Sequence, residues 1–138
     1  MRKSILGAAH DNPRDLIGRA VAEAAAYKGG DTLSLRRAAE TGWLAASAVA
    51  DVAAKRLGLK PPGGQQKRFE VLERLETQAK LQRGSLTSPF GSARGYLHGD
   101  CFHEDKCPVP IVKSTLLAVQ DMTLVAEAAL NRLRGRRG

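Results

Sequence analysis

Aromatic residues are scarce in this chain of 138: it has one tryptophan, two tyrosines and three phenylalanines. Any core must therefore be built from alanine, leucine, valine and isoleucine. Alanine is the best helix former, and the strand-favouring β-branched and aromatic residues are thin on the ground, so composition favours helix. Cysteine is almost absent too. Cys101 and Cys107 are too few for a disulfide framework. No uninterrupted run approaches the 18 or so apolar residues expected of a bilayer-spanning helix, and no signal-peptide apolar stretch follows Met1. The simplest expectation is a cytoplasmic protein with no membrane partner. Acidic residues are also in deficit, 14 against 22 Lys and Arg, for a net charge of +8. Arg132, Arg134, Arg136 and Arg137 carry half of that excess near the end of the chain, and Arg2 and Lys3 add to it at the start. Such basic ends either solvate a tail or meet polyanions, and the four arginines are the candidate nucleic-acid or phosphate contacts.

Helical punctuation divides the chain into five segments. Asn12-Pro13-Arg14-Asp15 supplies a cap, a first-turn proline and an acid at the electropositive end of a helix. Leu16, Ile17, Ala20, Val21, Ala24 and Tyr27 make its apolar stripe, and Gly29-Gly30 ends it. A second helix starts at Asp31 or Thr32. Its seam of Leu35, Ala39, Gly42, Ala46, Val49 and Ala53 is small enough for a neighbour to come close, and Gly58 with Pro61-Pro62-Gly63-Gly64 stops it. The pattern predicts a third helix over about 66–82, with Phe69, Leu72, Leu75 and Ala79 inward. A short fourth follows Ser88-Pro89 over about 90–102, where Gly91, Gly95 and Gly99 form a smooth strip for helix packing. Pro108 and Pro110 open a last long helix with Val112, Leu116, Val119, Met122, Ala126, Ala129 and Leu133 buried. This pattern predicts an all-α, antiparallel four- to five-helix bundle in one domain spanning 1–138, ordered over about 13–133, with a flexible basic tail at 134–138.

Chemistry concentrates between Arg94 and Cys107, which hold two of the three histidines and both cysteines. Three site readings compete. His98, Cys101, His103 and Cys107 form an H-x2-C-x-H-x3-C pattern of zinc-competent ligands, though four ligands in ten residues demand a tightly wrapped loop. On a helix, Arg94 and His98 are an i, i+4 pair, an imidazole to move a proton and a guanidinium to hold a phosphate. With Tyr96 and His103 assisting, they suit attack of an RNA 2′-hydroxyl on its own phosphate. Cys101 paired with a histidine as nucleophile is the third. Against all three stands plain packing. Gly63-Gly64 lacks the rest of a phosphate-loop pattern, and Trp43, mid-helix on an apolar stripe, reads as core rather than as a base-stacking platform.

The run from Gly30 through Trp43 to Ala54 resembles the long second helix of the HEPN superfamily, most closely its PaREP1-like branch. Leu97-His98-Gly-Asp-Cys-Phe102-His103, followed by a long amphipathic helix, is similar to a Leu-His…Phe-Tyr turn of that branch. The likeness extends over about 13–133. It implies a bundle that dimerises, and in many members a metal-independent ribonuclease using an R-x4-6-H motif from two protomers. Other members are inactive partners of nucleotidyltransferases or RNA-binding modules. In this chain three residues separate Arg94 from His98 and eight separate Arg94 from His103. The altered spacing favours a non-catalytic, dimeric, HEPN-like module that binds RNA, nucleotide or a partner such as a nucleotidyltransferase, with no cofactor. The alternative is an endoribonuclease, toxin-like, with Arg94, His98 and His103 as its catalytic groups.

Overall fold

The computed structural model describes residues 12–137, without the side chains of Arg136 and Arg137. Arg2 and Lys3 lie outside the described residues. Five helices and one π-helical segment follow one another: α1 (Pro13–Ala26), α2 (Leu33–Arg56), α3 (Gln65–Gln78), α4 (Thr87–Ser92), the π segment (Ala93–His103) and α5 (Val109–Arg137). There is no strand among the described residues.

The start of α1 follows directly from its sequence, with the Asn12 side chain accepting the Asp15 N–H at 2.9 Å. Gly58 at φ 76° ends α2 in a Schellman turn, in which Gly58 N–H reaches Lys55 and Leu59 N–H reaches Ala54. The predicted seam of α2 is entirely inside. Leu35, Ala39, Gly42, Ala46, Val49 and Ala53 are all buried, and α1, α3, α5 and the π segment all pack on α2. At Gly42 an added methyl would run into the side-chain end of Leu116 on α5 and crowd Leu97 of the π segment. Here the absent side chain sets how closely three elements meet.

Three expectations need correcting. The third helix stops at Gln78 rather than about Gln82. Lys80 takes a left-handed φ of 56°, and its N–H and that of Leu81 close another Schellman turn on Thr77 and Glu76. Without a glycine at that position the stop carries no sequence signal. The Gly91, Gly95, Gly99 strip packs against no helix. Gly91 and Gly95 are exposed with open space where a side chain would stand, because the segment buries its opposite face of Phe90, Ala93, Leu97 and Cys101. The last helix also runs on to Arg137, so the residues expected as a tail are helical as far as Arg137, with Leu130 and Leu133 packing on the core just before them.

By length and composition α5 is apolar enough to cross a bilayer, at a mean hydropathy of 1.3 over an 18-residue window. Core helices of packed domains meet the same criterion. Its stripe of Val112, Leu116, Val119, Met122, Ala126 and Ala129 is buried.

Glu76 near the end of α3 is 4% exposed. Its Oε2 accepts the N–H groups of Leu86 and Thr87, both at 2.8 Å, and the Thr87 hydroxyl at 3.1 Å. A distant carboxylate thus satisfies the first N–H groups at the start of α4. Burial alone would raise the Glu76 pKa, but the donors from Thr87, Leu86 and Gly84 outweigh it and hold the group below its ordinary value.

Candidate functional site

The π segment changes which residues meet. In an α-helix one turn returns after three to four residues, whereas π hydrogen bonds run from i to i+5. The expected Arg94–His98 pairing is absent. Arg94 is exposed, with no hydrogen bond or ion pair to another described residue, while His98 meets His103, five residues on, with their Nε2 atoms 3.2 Å apart. Glu104 N–H reaches the Gly99 carbonyl, carrying the i+5 pattern to the end of the segment. Tyr96 is 45% exposed.

One face of α2 holds this segment in place. Thr32, Arg36, Glu40 and Trp43 recur at steps of four, four and three, so they line up along the helix. Glu40 Oε1 lies 2.9 Å from His98 Nδ1. An ionised carboxylate can only accept, so Nδ1–H donates to it, and in the neutral ring Nε2 carries the lone pair that faces His103. Trp43, buried as expected, packs its ring 5.4 Å from the His98 ring on one side and 5.2 Å from Phe90 on the other. Phe102 stacks beside His98 at 6.2 Å. Arg36 donates to the Phe102 carbonyl from Nε at 3.2 Å and from a terminal nitrogen at 2.6 Å, and so caps the carbonyl end of the π segment. Asp105 receives the Thr32 hydroxyl at 2.7 Å and lies 3.9 Å from Arg36.

Cys101 and Cys107 are bonded to each other across a separation of six residues. Neither thiolate is left as ligand or nucleophile, and the four-ligand metal reading loses two of its members. The bond instead ties the π segment to the approach of α5 and brackets His103. His98 is 30% exposed at its side chain and His103 is exposed, so the imidazole pair opens to solvent above an aromatic floor.

The basic arginines sit elsewhere. Arg132 donates to the Ala79 carbonyl at the end of α3 at 3.4 Å, and Arg134 is exposed. At 1.5 Å per residue they stand about 35–40 Å along α5 from the Cys107 end, too far to share one phosphate with His98. Sequence reasoning found the two histidines but missed Glu40 and Arg36. Their signal was available as two charged residues four apart beside the small-residue seam of a helix otherwise buried on that side.

Comparison with protein families, with curated proteins and with solved structures finds no match for this chain.

Proposed function

We propose that this protein is a HEPN-like helical module acting on RNA, with His98 as its acid–base group in a metal-independent cleavage of the phosphodiester backbone. The observation that carries the reading is the 2.9 Å contact between Glu40 and His98 Nδ1, on a partly exposed ring whose Nε2 faces the exposed His103. A carboxylate that orients an imidazole also stabilises the imidazolium formed when Nε2 takes a proton. His103, the next group outward, exchanges that proton with solvent. A 2′-hydroxyl would lose its proton to His98 and attack the adjacent phosphorus, the 5′-oxygen departing with a proton returned from the pair.

The test is cleavage of single-stranded RNA by the purified chain in EDTA. His98→Ala is expected to reduce the rate by about a hundred- to ten-thousand-fold. An unchanged rate in that variant overturns the reading.

One observation favours a second reading, in which the module binds RNA, nucleotide or a partner such as a nucleotidyltransferase without cleaving. Arg94 is exposed and makes no hydrogen bond to His98, so the described residues of one chain assemble no guanidinium–imidazole pair. In this reading a homodimer or partner uses the exposed arginines, including Arg134, for phosphate. RNA affinity that falls steeply with salt, without cleavage, supports it.

A further inference from the structure

We infer that His98 and His103 form a two-histidine site for a borderline divalent cation of the zinc type, with Glu40 as the group that orients the inner ligand. Two nitrogens bound by a tetrahedral zinc at about 2.0–2.1 Å stand about 3.3 Å apart. The two Nε2 atoms are already 3.2 Å apart.

The two rings meet edge to face. Their centroids are only 4.4 Å apart and their planes are nearly perpendicular, at 83°. Rings joined nose to nose through an N–H···N bond would have centroids farther apart than their nitrogens by nearly two ring radii. Here the excess is small, so the nitrogens lie side by side. A turn of the exposed His103 ring brings its lone pair onto a cation held at His98 Nε2.

The protonation pattern fits as well. Glu40 holds the His98 proton on Nδ1 and leaves Nε2 as a donor to metal, the carboxylate–histidine–metal arrangement of many protein sites. The exposed His103 carries its proton on Nδ1 once Nε2 is bound. Water fills the remaining positions, since Cys101 and Cys107 are paired and Asp105 is engaged by Thr32 and Arg36. An occupied site takes the His98 lone pair out of use, so the cation acts as an inhibitor of any acid–base chemistry there. Binding itself requires no cleavage, and its outcome is therefore separate from the ribonuclease reading.

The experiment is titration of the full, oxidised chain with zinc chloride alone, in a buffer that does not chelate, followed by calorimetry and native mass spectrometry. One zinc per chain is expected. His98→Ala and His103→Ala should each lower affinity at least tenfold, and Glu40→Gln about ten- to a hundredfold. Circular dichroism checks that each variant is folded, and His103, being exposed, is the substitution least able to disturb the core. Absence of zinc uptake by the wild-type chain, or wild-type affinity in either histidine variant, overturns the site. Wild-type affinity in Glu40→Gln overturns the orienting role of the carboxylate.

Discussion

Two glutamates reach from helices towards the same stretch of chain between Ser85 and Lys106, and their surroundings differ in every respect that matters. Glu76 is buried at 4% exposure, and one of its oxygens takes three hydrogen bonds from Leu86 and Thr87. Glu40 is half-buried and orients a single partner, His98, whose other nitrogen meets the exposed His103. The first arrangement uses up its polar capacity and fixes the turn into α4. The second leaves capacity over, held in one geometry. A saturated carboxylate is architecture, and an unsaturated histidine beside a carboxylate is where chemistry can happen.

Substitutions that break this comparison should separate stability from activity. Glu76→Gln is expected to have the largest effect on stability, about 1–3 kcal/mol, because hydrogen bonds to a buried charge are replaced by weaker ones to an amide. Urea denaturation at neutral pH measures it. The effect is pH-dependent with a definite sign. The folded-state pKa of Glu76 is lowered, so its contribution is present above the unfolded value and is lost as pH falls from the ordinary carboxylate range through the folded value. The gap between wild type and variant should therefore shrink on acidification, and a gap constant with pH would contradict the charged state assigned here.

Next in size is the Cys101–Cys107 bond. Closing so short a loop stabilises by about 2 kcal/mol through the unfolded chain. A Cys107→Ser variant, or reductant, should lower the denaturation midpoint accordingly, and His103, inside the closed loop, should lose its fixed distance from His98. Nuclear Overhauser contacts between the two imidazole rings should weaken once the bond is gone.

Smallest is the stability effect of Glu40→Gln, under about 1 kcal/mol, as expected for a partly exposed charged pair. A loss as large as that of Glu76→Gln would place Glu40 among the structural carboxylates and erase the contrast.

Much of this molecule was legible in one dimension. The stripe of α1, the small-residue seam of α2, the burial of Trp43 and the inward face of α5 were read directly, since each depends on helical periodicity and on the size of side chains at fixed spacing. The candidate site between Arg94 and Cys107 was visible as composition, in histidines and cysteines that a surface loop has no need of. Which of those residues meet was not visible. The pairing of Arg94 with His98 assumed an α-helical turn, and the chain there adopts a π turn, a choice made by packing Ala93, Leu97 and Cys101 onto α2 and by the disulfide.

The sequence by itself determined an all-helical chain, the positions of its apolar faces and the neighbourhood of its candidate site, because these follow from local propensity and period. Tertiary structure alone decided that Lys80 rather than a glycine ends α3, that Glu76 supplies the start of α4, and that Glu40 and His103 flank His98. Each of these joins residues through contacts across the fold, or through a backbone conformation that local sequence does not favour, and spacing along the chain holds no record of them.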